Sequence, residues 1–158
     1  MQLMVIIIDT REQQPFSFSK WEVSTMRATL ETGDYSLMGF EDRAAIERKS
    51  LDDLISCFIG DNRTRFEKEL IRGRRLDLFS VVVEATLEDI AQGRFKSQMK
   101  PQAALQTLAA FNVRHGTPFM FCGSRAGAEY MTHSLLSKYA YEIEKRYKIY
   151  QQNKEVKT

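Results

Sequence analysis

Apolar positions along this chain fall first into continuous runs and later into helical spacing. Residues 3–8 form an unbroken, β-branched stretch that Asp9-Thr10-Arg11 closes, a pattern that predicts a buried central strand. Residues 78–84 repeat it, and 119–122 predict a final buried strand. Shorter runs at 21–25, 27–30, 36–38 and 44–48 read as strands, with Thr32-Gly33-Asp34 as punctuation between them. After Lys49 the spacing changes. Ser50 caps a helix with apolar residues at 51, 54, 55 and 58. A second helix is expected over roughly 62–75, with Phe66, Leu70 and Ile71 facing inward. Thr86 caps a short helix, and Pro101 opens another that runs to about His115. Ser124 caps a long terminal helix striped by Met131, Leu135, Tyr139, Ile143 and Tyr147. Strands first, then helix and strand in alternation, predict an α/β domain whose mixed sheet is covered on both faces.

Composition narrows the class. A chain of 158 residues, 43% hydrophobic and 28% charged with a net charge of +2, is expected to fold as one domain. No linker, repeat or low-complexity tract divides it. The longest apolar run, residues 3–8, is far short of the ~20 residues of a membrane span, so no membrane partner is expected. No basic flank precedes that run and Asp9 follows it directly, which does not fit a signal peptide. Cys57 and Cys122 stand apart without a CxxC, predicting free buried thiols and a reducing compartment. An intracellular protein is expected, cytoplasmic in a bacterium or virus and nuclear in a eukaryote.

The small net charge conceals an uneven distribution. Residues 1–60 carry ten acids against six bases, whereas 90–128 hold no acid and five bases: Arg94, Lys96, Lys100, Arg114 and Arg125. That stretch reads either as a surface that meets phosphate or as a basic face with no polyanion to bind. Within it, Arg94, Lys96 and Lys100 interleave with Phe95 and Met99; this is a phosphate track with a stacking partner, or a core anchor in Phe95. Arg72, Arg74 and Arg75 extend a DNA face or simply end a helix in solvent. His115 and His133 have no ligand-spaced partner, which argues against zinc.

Candidate chemistry gathers in the first third of the chain. On a strand, Glu47 and Lys49 share a face. A carboxylate that holds a metal, with an ammonium beside it, is what water-mediated phosphodiester cleavage requires. A hairpin between 34 and 47 would bring Asp34 to Glu47, a pair of hard oxygen ligands suited to Mg²⁺ or Mn²⁺. Asp34 also reads as an ordinary turn residue beside Gly33. Asp9 ends the first strand as a third carboxylate or as an Asx-turn, and Arg11 follows it as a phosphate contact.

Taken in order, Asp9-x-Arg11-Glu12, Leu30-Glu31-Thr32-Gly33-Asp34-Tyr35, and Glu47-Arg48-Lys49 with Asp53 resemble the XPF-type structure-specific nuclease family, whose signature is GDxnERKxxxD. Asn62-Arg63 is similar to the element that opens that family's next helix. The resemblance implies a restriction-endonuclease-like α/β core, a mixed central sheet flanked by helices, and Mg²⁺- or Mn²⁺-dependent cleavage of DNA that branches from duplex to single strand. It implies Asp34 and Glu47 as metal ligands with Asp9 as acidic neighbour, and Lys49 as the group that orients water or stabilises the transition state. Arg11, Arg48 and Arg63 would touch phosphate or hold the carboxylates, and Asp53 would anchor the arginine–lysine network. The family's tandem helix-hairpin-helix domain has no counterpart in residues 1–158, so a homodimer or a separate DNA-binding partner is expected to assist. A non-catalytic DNA-binding or dimer-partner module and a junction resolvase remain as alternatives.

Overall fold

A computed structural model of the chain describes residues 3–155; Met1, Gln2 and residues 156–158 of the predicted domain lie outside it. The first half builds strands β1 (Val5–Asp9), β2 (Ser24–Ala28), β3 (Tyr35–Leu37) and β4 (Ala44–Lys49), then helices α1 (Leu51–Ser56) and α2 (Gly60–Gly73). The second half adds β5 (Leu78–Val83), α3 (Leu87–Ala91), α4 (Pro101–His115), β6 (Phe119–Phe121) and α5 (Arg125–Glu155). One six-stranded sheet results, in the order β2-β1-β3-β4-β5-β6. β3 runs antiparallel to its neighbours β1 and β4, while β1–β2, β4–β5 and β5–β6 are parallel pairs. Among the described residues no helix is long and apolar enough to cross a membrane.

Period-two alternation on β4 and β5 divides the core between the two faces of the sheet. Ala45, Phe79, Val81 and Val83 pack under Leu54, Ile55, Phe66, Leu70 and Phe111, which belong to α1, α2 and α4. Ile46 and Val82 face the other way, joining Ile6, Ile8, Tyr35 and Leu37 beneath Ala128 and Leu136 of α5. The predicted α/β fold with a mixed sheet covered on both faces is what forms.

Local signals place the helix starts. The Ser50 hydroxyl accepts the Asp53 N–H at 3.2 Å, Thr86 and Asp89 form a reciprocal capping box, Pro101 is the first residue of α4, and the Ser124 hydroxyl accepts the Gly127 N–H at 3.0 Å. Strand limits moved more. The two strands expected at 21–25 and 27–30 are one strand, β2, because residues 18–23 turn onto the sheet edge before pairing with β1 begins at Ser24. β6 is an edge strand and only half-buried, since nothing pairs with its outer side. Ile71 is 47% exposed, because the buried face of α2 is centred on Phe66 and Leu70. On α5 the predicted stripe is half-buried down to Ile143 and Tyr147 is exposed, whereas Ala128, Thr132 and Leu136 are fully buried. Cys57 and Cys122 are free, as expected, yet half-buried rather than buried.

Candidate active site

The turn into β3 is built so that a carboxylate stands beside β4. Gly33 has φ +81°, and a Cβ there would lie 2.9 Å from the Ala45 Cβ, so this position needs glycine for both conformation and closeness. The Asp34 N–H then donates to the Ile46 carbonyl at 2.8 Å, and the Asp34 carboxylate accepts the Arg48 N–H at 2.8 Å. Tyr35 pairs with Ile46, which sets Asp34 against Glu47 across the hairpin. Glu47 is 6% exposed and its Oε1 lies 3.1 Å from Lys49 Nζ. Lys49 in turn lies over the Phe66 ring, 5.3 Å from its centroid. Lys49 and Phe66 open into a cleft of about 350 Å³, next to the Asp34–Glu47 pair. Lys49, Asp53 and Cys57 line one wall; Asn62, Arg65, Glu69 and Arg72 of α2 line the other.

Electrostatics set this corner apart. Burial, reinforced by the charges of Glu12 and Glu69 and opposed by the Arg48 N–H, pushes the Asp34 carboxyl up to about 6. Burial likewise raises Glu47 well above its ordinary value, helped by the neighbouring carboxylates of Asp34 and Glu69. Burial works against the Lys49 charge, but the adjacent Glu47 and Glu69 outweigh it and Lys49 stays an ammonium. Two neighbouring carboxylates that resist ionising offer the hard oxygen donors that a small divalent cation takes. Among the described residues no group of three or more His, Cys, Asp or Glu side chains forms a metal cage. Asp34 and Glu47 are the pair that could hold such a cation, and two protein donors would leave positions for water and substrate oxygens.

Behind β4, on the α5 side, Arg48 is the brace. It grips Glu12 through two bonds, at 2.9 and 2.7 Å, and Glu84 at 3.0 Å. Arg125 extends the network, reaching Glu84 at 3.2 Å and the Gln14 carbonyl at 2.8 Å while stacking over Phe16. Arg48 thus takes the carboxylate-holding alternative and not the phosphate-touching one. Sequence reasoning passed over Glu84, whose only signal was its place just after the C-terminal end of the β5 strand.

Asp9 does not join Asp34 and Glu47. Its carboxylate is 2% exposed and fully engaged: Oδ1 accepts from the Leu30 N–H at 2.8 Å, and Oδ2 from the Arg11 side chain at 2.9 Å and the Arg11 N–H at 3.2 Å. Burial opposes its charge, but these donors prevail and hold its pKa below the ordinary value. Asp9 secures the strand end, as an Asx-turn would. Arg11 keeps most of its surface in solvent, with its side chain 69% exposed while paired to Asp9. Asp53 is on the cleft wall beside Lys49, but it is exposed and, among the described residues, has no ion pair through which to anchor a network.

Arg63 points away from the cleft and lies over the Phe111 ring, 5.2 Å from its centroid. Arg65, two residues later, lines the cleft instead; helical spacing from Asn62 through Arg65 and Glu69 to Arg72 was the available signal. Arg74 turns to a separate cavity beside Asp77 and His115. Arg94 pairs with Asp89 at 2.8 Å, and the Lys96 N–H donates to Asp52 at 2.9 Å, which ties this segment to the start of α1. Lys96 and Lys100 are exposed, while Phe95 and Met99 pack against the core, so Phe95 is the anchor and not a stacking platform.

The sequence matches the family model described as ERCC4 domain over residues 8–135. None of the individually curated proteins matches it significantly. Among solved structures it is similar to XPF from Aeropyrum pernix, at 18% identity and a TM-score of 0.66, over 84% of this chain and 60% of that one. It is also similar to XPF from Aeropyrum pernix in complex with DNA, at 18% identity and a TM-score of 0.65, over 88% of this chain and 66% of that one. The chain therefore spans less than two thirds of the length of these structures, and the likeness is one of fold. The motif that carries Asp34, Glu47 and Lys49 lies wholly inside the matched segment, and with a family model covering most of its length the chain belongs to the ERCC4-domain family.

Proposed function

We propose that this chain is a divalent-metal-dependent endonuclease that hydrolyses DNA phosphodiester bonds at branched or duplex/single-strand junctions, in repair, recombination or replication. The observation that carries this reading is the grouping of Asp34, Glu47 and the Lys49 ammonium at the β3–β4 hairpin, with Lys49 lining an open cleft that Arg65 and Arg72 also line. The DNA bound to the Aeropyrum pernix protein supports the choice of polymer. Asp34 and Glu47 would hold Mg²⁺ or Mn²⁺, which when bound polarises the phosphoryl group and acidifies water. The Arg48 N–H fixes the orientation of Asp34. Glu47 holds Lys49, whose ammonium orients the attacking water or stabilises the charge that develops on the phosphoryl oxygens. Water attacks in line, and the P–O3′ bond breaks to leave a 3′-hydroxyl.

The test is a panel of flap, fork, four-way and linear DNAs, with and without Mg²⁺. Wild type is expected to cut the junction substrates, while Asp34→Ala and Lys49→Ala bind but do not cut. Equal cutting by wild type and Asp34→Ala overturns the proposal. Exclusive cutting of four-way DNA turns it into a junction resolvase. Binding without cutting by wild type turns it into a non-catalytic DNA-binding or dimer-partner module.

A further inference from the structure

We infer that the Arg65–Arg72 face of α2 is the track for the backbone of the strand to be cut, and that this face, not the acid-free segment, delivers the scissile phosphate to Lys49. The inference rests on the nuclease reading above and names how its substrate is held.

Arg65 and Arg72 stand seven residues apart on the cleft side of α2, two turns or ~10.5 Å along the axis. Glu69 lies between them at the i+4 and i−3 positions, spacings at which helical ion pairs form. Yet among the described residues neither arginine lies within ion-pair distance of it. Arg11, Arg94, Arg114 and Arg125 each lie within ion-pair distance of a carboxylate. Arg65 and Arg72 are exposed and, among the described residues, hold none, so two guanidinium forks line the same cleft as Lys49. A guanidinium accepts phosphate oxygens through paired N–H donors, and a phosphodiester at Lys49 would place its neighbours within reach of one arginine on each side. In the competing segment Arg94 is neutralised by Asp89, and neither Lys96 nor Lys100 lines the cleft.

Affinity for a fluorescent flap DNA, measured across a salt series in an Asp34→Ala background, reads this directly. Each of Arg65→Ala and Arg72→Ala is expected to lower the slope of log K against log salt by about 0.9, or about 0.7 where the strand held is single. Arg65→Gln and Arg72→Gln, which keep the helical length of side chain, should do the same, while Arg65→Lys and Arg72→Lys keep the slope. Arg74→Ala removes one charge from the same end of α2 and should leave it unchanged. With Asp34 intact, the two alanine variants should raise KM and leave kcat close to wild type. Unchanged slopes, an equal loss in Arg74→Ala, or a fall in kcat at constant KM overturns the track. If wild type cuts no DNA but the slopes change as expected, the nuclease reading fails and the track stands. If wild type cuts and the slopes do not change, the track fails alone.

Discussion

Asp34 sits where burial and neighbouring carboxylates disfavour its charge, and this governs how the metal-free protein responds to pH. Its carboxyl titrates near about 6 in the fold against an ordinary value of 3.8. Below about pH 4 the group is neutral whether the chain is folded or not, and the stabilisation is complete. As pH rises to and through 6, the unfolded chain ionises freely and the folded one resists, so stability is lost. Asp34→Asn keeps an oxygen for the Arg48 N–H and removes the charge. It is therefore expected to melt several degrees above wild type at pH 7 in chelator, given that about 1 kcal/mol shifts a domain of this size by 2–4 °C. Added Mg²⁺ should raise the melting point of wild type and not of the variant. A variant that melts below wild type in chelator contradicts this account. Arg48 is the opposite case. Removing it as Arg48→Met strands the buried Glu12 carboxylate, and a loss of about 3–5 kcal/mol is expected from urea unfolding. Adding Glu12→Gln should recover part of that loss, since the two side chains share one pair of hydrogen bonds.

At the scale of elements, the β3–β4 hairpin is what converts a sequence motif into a site. Gly33→Ala would force a side chain into a φ of +81° and against the Ala45 Cβ. A loss of roughly 1–3 kcal/mol is expected, together with a fall in cleavage larger than the stability change explains, because Asp34 moves with the turn. A variant that unfolds more easily but cuts at the wild-type rate would show that the turn does not place Asp34. Helix starts were legible because caps act within four residues: Ser50, Thr86, Pro101 and Ser124 each stand where the sequence put them. The two strands read at 21–25 and 27–30 were not, because an edge strand takes its limits from its partner, here β1. Ile71 was misplaced for a similar reason. The apolar set on α2 is compatible with two faces, and only packing against β5 and α4 selects the one centred on Phe66 and Leu70.

For the whole molecule, a net charge of +2 is the small balance of 23 basic and 21 acidic side chains. Attraction to DNA is then a local effect of a few arginines and lysines rather than of the overall field. Binding by this chain is expected to be weak and to fall steeply between about 50 and 200 mM salt, unless a second copy or a partner shares the duplex. An anisotropy titration at several protein concentrations, with sedimentation to fix the oligomeric state, checks it; a tight monomeric complex indifferent to salt would contradict it.

The sequence by itself determined most of the order of elements, most helix starts, and the closeness of Asp34, Glu47 and Lys49, because a hairpin and the period of two on a strand are short-range geometry. Tertiary structure alone decided which other residues share that site. Asp9 is drawn off to Leu30 and Arg11 at its strand end, Arg48 is committed to Glu12 and Glu84, and Glu69, Arg65 and Arg72 come to the cleft from α2. Those partnerships join residues up to 36 positions apart, across the strand order and the rotation of a helix on the sheet, which no local pattern encodes.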